Sequence, residues 1–408
     1  MIARGDLRRH FVGTATIGAC LACVFLAAAE SAGAESAGAE TRGYVIAMVH
    51  TATYADTDTC PMGGNGGPVE LRTRRVMGAG YSEAEALEIV ANEGRDSEGN
   101  RVEAAQLFGS FGSGRGWGGL EINPGNAPYL LPDPHIETAQ GRFAPGFNLD
   151  GRVDPDDFED PETHEKGVDN EIWRVIGCFD TFHVRKPVRA YNENITWDAV
   201  LDGMPAWLIS VSGEDLSRDG DVTVTFDRAL NVVLRDATGG LLSGATYTID
   251  SDPRSHSVFR GRIDNQILTI EPGDFSMQGE SQFYAILRLA HTHLRLQMLP
   301  DGSVTGLLGG YQPWSDYYQW LAVRGETDGQ IDLPGVYYAM KRLADGVPDP
   351  ATGENTAISA TYWLEAVPAF HTDMSGGVVS VAVGPGPKLS GPAAIQIVAP
   401  PSETEAQQ

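Results

Sequence analysis

From about residue 196 onward the chain is a succession of short apolar runs, at 207–211, 222–226, 229–234, 267–270 and 283–299, divided by clusters of Gly, Asp and Pro. Short strands at roughly 8–12-residue spacing with turn residues between them are the pattern of an antiparallel sandwich or barrel. Composition agrees: 49 Gly and 24 Pro in 408 residues favour turns over long helices, and 42 % apolar residues suffice for a core. The expected fold is mainly β, with an antiparallel β-sandwich or jelly-roll-like C-terminal domain over 196–383 behind a mixed, loop-rich N-terminal region over 43–195. Pro300-Asp301-Gly302-Ser303 lies between two apolar runs and predicts a tight hairpin. In the N-terminal region, 44–49 (YVIAMV) is the first strand candidate. Ser82 with Glu85 three residues on is the capping-box pattern of a helix that Gly94 ends. Pro334 opens another short helix through 343, because its missing N–H costs nothing at the first helical position.

The N-terminus carries an export address. Arg4, Arg8 and Arg9 stand in the first ten residues against one acid, Asp6, and an uncharged, mostly apolar run follows from 11 to 29, ending in Ala27-Ala28-Ala29. A basic segment, an apolar segment and a small-residue end are the three parts of a secretory signal. Residues 1–29 are therefore expected to be cleaved, and the protein to be periplasmic or extracellular. Arg8-Arg9 ahead of His10-Phe11-Val12 resembles a twin-arginine signal, and an ordinary general-export signal fits equally. Ile17-Gly18-Ala19-Cys20 resembles a lipoprotein box, which would lipidate Cys20. Residues 30–39 repeat ESAGA twice and, with 40–42, read as a flexible linker. No transmembrane domain is expected once the signal is removed, and the Pro/Gly-rich tail 384–408 is expected to be poorly ordered past Pro400.

Removing the signal leaves 26 basic against 54 acidic residues and two of the four cysteines, Cys60 and Cys178. An even pair in an exported chain predicts one disulfide. Two cysteines are too few for multihaem, iron–sulfur or Cys-based zinc sites. The acidic excess argues against a nucleic-acid partner, since phosphate binding needs a clustered basic surface.

Residues 148–171 hold ten carboxylates against Arg152 and Lys166, in the sequence NLDGRVDPDDFEDPETHEKGVDNE. Its first part, Asn148 to Phe158, resembles a dockerin or EF-hand-type calcium loop, in which alternate oxygen ligands wind round the ion past a turn glycine. The resemblance implies Asn148 as the third-place ligand and Asp150 as the fifth, with Gly151 making the turn. Arg152 would ligate through its carbonyl, Val153 would anchor the loop, Asp154 would stand ninth and Asp157 would close it. Gly146 stands at the first place, so that oxygen would come from Asp160, Glu162, Asp169 or Glu171. The alternative is a solvated acidic loop. A second stretch, Asp215 to Val222, repeats half of such a pattern and reads as a hairpin.

Other constellations are weaker. His291-Thr292-His293 lies in the run 283–299, where strand alternation puts both histidines on one face with Phe283, Leu287 and Leu289. Two such histidines are half of a transition-metal site, with His256 or His371 as the third ligand; the alternative is a packed pair. Tyr311, Trp314, Tyr317, Tyr318 and Trp320 fall within ten residues, either as a platform that stacks on a sugar or as core beside the 334–343 helix. The glycine-rich stretch 109–119 lacks the Lys-Ser/Thr of a phosphate loop and reads as surface. No GxSxG or HExxH occurs.

The leading function expected from these features is an exported, calcium-stabilised binding or structural protein, with a glycan or envelope component as partner. A metal-dependent hydrolase using His291 and His293, and an accessory subunit of an exported redox complex, are the alternatives. The sequence marks no catalytic group and no oligomeric state.

Overall fold

A two-residue rhythm of burial shows where the staves lie. In β5 (Gly220–Val232), Val222, Val224 and Phe226 are buried while Asp221 and Thr223 face solvent. The same alternation runs through β7 (His256–Asp264), β8 (Ile267–Ile270), β9 (Gly273–Met277) and much of β10 (Leu287–Met298). The computed structural model describes residues 40–54, 56–102, 128–130, 132–183, 203–237, 240–279, 285–323 and 331–384. The expected signal 1–29, the ESAGA repeat, the stretch 109–119 and the tail beyond 384 lie outside them, as does Phe283.

The expected sandwich or jelly roll does not form. β1 (Glu40–Thr51) pairs antiparallel with β4 (Pro205–Gly213) on one side and with β13 (Asn355–Pro368) on the other. Between them β4, β5, β7, β8, β10, β11 (Val304–Pro313) and β13 pair in turn, so eight antiparallel staves close into a barrel. A sandwich and a barrel share the same alternation; the difference is whether the first strand meets the last. Here Tyr44 stands opposite both Pro368 and Ile209, a contact 324 residues apart in sequence on one side. Residues 40–42, read as the end of a linker, are therefore strand, because their backbone groups pair with 211–213 of β4.

An eight-stranded barrel is just wide enough for side chains to fill. Ile46, Ile209, Val224, Phe259, Leu296 and Tyr362 are among those that point inward and are buried. α4 (Trp314–Val323) follows β11 directly and lays Tyr317 against the end of β1, its hydroxyl 2.9 Å from Thr51 Oγ1. α5 (Leu333–Leu343) packs beside it, capped by Asp332 with Pro334 in its first turn. β12 (Gly346–Pro348) extends the sheet along β13 and β9 along β10. The Pro300–Ser303 hairpin forms as expected, with Gly302 N donating to Leu299 O and Gly302 at positive φ.

The segment 132–183 covers the outer wall at β11 and β13. A ribbon of β2 (Phe158–Glu159) and β3 (Lys166–Val168) precedes α3 (Glu171–Ile176), and Phe147 and Leu149 bury against Leu307 with Trp363 at the margin. Cys60 and Cys178 are disulfide-bonded across 118 residues, as the pair predicts. α1 (Pro68–Gly78) and α2 (Glu83–Ala91) make a small separate core around Val76 and Ile89; Ser82 and Glu85 form the expected capping box. On another stretch of wall sits a three-stranded sheet of β6 (Thr246–Thr248), β14 (Phe370–Thr372) and β15 (Val378–Ser380), with β14 central. Among the described residues no helix is long and apolar enough to cross a membrane.

Candidate functional site

Between the small sheet and the barrel wall lies an open cavity of about 500 Å³. Its floor is the outward face of β4 and β5, where register sets Ser210 opposite Thr225, and Asp227 opposite His256 of β7. The loop 249–253 and Val379 of β15 form its sides. The small sheet can lie this close because residue 43 is glycine. A Cβ there would meet Ser380 Oγ at 2.1 Å and Ala369 O at 2.5 Å. Gly43 N instead donates to Val381 O and Gly43 O accepts from Ala369 N, tying the sheet to β1.

Two histidine pairs meet in this region. His371 is fully buried; Nε2 is 3.1 Å from Tyr44 O and Nδ1 2.9 Å from Ser210 Oγ. A carbonyl only accepts, so Nε2 carries the proton and Ser210 donates its hydroxyl to Nδ1. Burial pushes the His371 imidazole down to about 4. That is too weak a base to activate Ser210 at neutral pH, so the contact clamps β14 to the wall and leaves the Ser210 oxygen as an acceptor. His256 differs: its side chain is 50 % exposed, and Nδ1 lies 2.7 Å from Oδ1 of the buried Asp227. Burial raises the Asp227 carboxyl, opposed by the hydrogen bond and charge of His256. Asp250 lies 3.5 Å from Arg228 Nε. Each cavity carboxylate thus has a side-chain partner, Asp227 the His256 imidazole and Asp250 the Arg228 guanidinium, and the remaining polar lining is hydroxyl: Ser210, Thr225, Ser251, and Ser212, whose Oγ is 2.9 Å from Thr41 Oγ1.

The acidic loop folds on itself against β3. Asn148 Oδ1 accepts from Gly151 N, Asn148 Nδ2 donates to Arg152 O, Asp150 Oδ1 accepts from Arg152 N and Asp157 Oδ2 from Asp154 N. Gly151 has the positive φ of a turn glycine, but Val153 is 64 % exposed and anchors nothing; Leu149 and Phe147 are the buried residues. The loop packs over Gly167, where a Cβ would sit 2.1 Å from Arg152 O. Asp169 Oδ2 accepts from Leu149 N and Asp150 N. Burial, with the charges of Asp150 and Asp345 beside it, holds Asp169 up at about 7. Asp345, although exposed at its surface, is raised to about 6 by desolvation and the charge of Glu171, opposed by its hydrogen bond from Ser359 N. Among the described residues no three His, Cys, Asp or Glu side chains are grouped so as to hold a metal ion.

His291 and His293 do come together, with ring centroids 5.1 Å apart. A bulge at His291, at positive φ, shifts the strand register between Ala290 and His293. Leu287 and Leu289 therefore turn into the barrel while His293 faces outward onto Phe147, so the expected shared face is broken. His256 and His371 belong to the other wall. Of the aromatic run, Tyr317, Tyr318 and Trp320 are buried, and Tyr311 and Trp314 half-buried, with Trp314 and Tyr318 each 5.5 Å from the Tyr337 ring of α5.

Sequence reading named His256 and His371 only as partners for the other histidines, and missed Ser210 and Asp227. No local signal marks them, because their meeting depends on the pairing of β4, β5, β7 and β14. Comparison with protein-family models, curated proteins and solved structures finds no match to this chain. The class of protein is thus defined by its own architecture: a filled, closed antiparallel barrel carrying a polar cavity on its outer wall.

Proposed function

We propose that this is an exported binding protein that takes a neutral, polyhydroxylated ligand of sugar type in the cavity over β4 and β5. The observation that carries this reading is the lining. Hydroxyls that both donate and accept suit ligand hydroxyls, and with Asp227 held by His256 and Asp250 beside Arg228 no acid is left over for a cation. Ile249, Pro253 and Val379 offer the apolar surface that the C–H face of a sugar ring needs. A volume near 500 Å³ lies in the usual range for small-molecule sites. Export is supported by the signal-like N-terminus and by the Cys60–Cys178 bond. Calorimetry with neutral mono- and disaccharides tests the reading. Thr225→Val, which removes one hydroxyl at nearly constant volume, should weaken binding about tenfold, the worth of one hydrogen bond. Failure of every neutral saccharide to bind would retire it.

A second reading concerns stability. Asp150, Asp169, Glu171 and Asp345 repel one another beside the loop that resembles a calcium site. Calcium held there, largely through carbonyl and water oxygens, would relieve that repulsion. Chelation should then lower the melting temperature by several degrees, calcium should restore it, and Asp150→Ala should abolish the difference. Equal recovery in sodium chloride of matched ionic strength would reduce the effect to screening.

A further inference from the structure

Asp227 is 4 % exposed, and the sheet register places it beside His256. A buried carboxylate is costly unless it is bonded, and the side-chain bond it makes is to Nδ1 of an imidazole that is itself half in solvent. The carboxylate can only accept, so Nδ1 carries the proton and the lone pair of Nε2 is left unshared by Asp227. The dyad thus has the two parts of an oriented base: a group that fixes the tautomer, and a second ring nitrogen on an imidazole that lines the cavity. His371, the other imidazole in the region, has both nitrogens engaged and is buried, so it cannot play this part. Thr225 and Ser212 hydroxyls line the same cavity and can donate to an oxygen on which charge develops.

Resting on the reading that the cavity takes a polyhydroxylated ligand, we propose that the His256–Asp227 pair activates water to hydrolyse an acyl ester carried on that ligand. His256 Nε2 takes a proton from water as the water oxygen bonds to the ester carbonyl carbon. The tetrahedral species then breaks its bond to the alcohol oxygen, which receives the proton from His256. The products are the free hydroxyl and a carboxylic acid, and no oxidant or second substrate beyond water is needed. His256 is the catalytic base and Asp227 its positioning residue.

Full-length mature protein is incubated with O-acetylated monosaccharides and acetate release is measured, with binding of the non-acetylated sugars followed by calorimetry. The wild type should release acetate. His256→Gln, whose amide can still donate to Asp227, should lose 10²-fold or more, the usual worth of a general base, in protein that still melts cooperatively. Asp227→Asn should lower the rate and displace the acid limb of the pH profile, which a merely structural role would not move. Sugar binding without acetate release, or an unchanged rate in His256→Gln, overturns the catalytic proposal and leaves the binding reading standing. Acetate release that depends on His256 but without binding of the free sugars supports the catalysis and removes the sugar-binding reading.

Discussion

At the scale of single residues, the chain is governed by where it buries ionisable groups. His371 and Asp169 shift in directions that each disfavour the charged form, and their consequences for stability are opposite. His371 titrates at about 4 folded against about 6.5 free. The unfolded chain binds the extra proton in that window, so stability present above about pH 6.5 is lost as pH falls towards 4. Asp169 titrates at about 7 folded against 3.8 free, so there the native state holds the extra proton and stability is lost as pH rises from about 4 through 7. Asp169→Asn keeps an oxygen to accept from Leu149 N and removes the charge. Its melting temperature should exceed wild type by a few degrees at pH 8 and match it near pH 4, read by calorimetric scans across pH. A gain that is the same at both pH values would show that charge is not what burdens this position.

At the scale of elements, the small β6–β14–β15 sheet depends on one missing side chain. With Gly43 replaced by Ala, the new methyl falls 2.1 Å from Ser380 Oγ and 2.5 Å from a backbone oxygen that has nowhere to move. Overpacking of this kind costs about 1–3 kcal/mol. Gly43→Ala should lower the melting temperature and weaken any binding in the cavity together, since the same contact sets the cavity's side. Gly220→Ala, where nothing lies within 4 Å, is the matched control and should change neither. Loss of stability with binding intact would mean the sheet position matters less to the cavity than the barrel wall does.

At the scale of the whole molecule, two long-range closures hold the described chain together: β1 against β13, and Cys60 to Cys178. The disulfide ties the segment between β1 and α1 to the turn just after α3, across 118 residues. Closing so long a loop stabilises by about 4–5 kcal/mol on the chain-entropy model. Reduction should therefore lower the melting temperature by on the order of ten degrees. The barrel should survive it, because none of its ladders passes through either cysteine. Scanning calorimetry with and without reductant, with far-ultraviolet dichroism to follow the strands, checks both parts. Loss of β signal on reduction at room temperature would contradict the independence of the barrel.

What the sequence determined by itself is local. The capping box at Ser82, the hairpin at 300–303 and the helix at Pro334 are each specified within a few residues, so their chemistry reads directly from the chain. The disulfide followed from a count of two. The mainly-β character followed from alternation, which depends only on the two-residue repeat of a strand. Closure did not, because it rests on the meeting of residues 44–51 with 362–368, and alternation is blind to which strand is the neighbour. That His291 and His293 share a face with Leu287 and Leu289 was misassigned for a related reason: one bulged residue reverses every side chain beyond it, so the two imidazoles meet each other but not the leucines. The cavity lay furthest from view. Ser210, Asp227, His256 and His371 sit on four strands spread over 162 residues, and only the pairing of those strands brings the hydroxyls, the acid and the two imidazoles onto one wall.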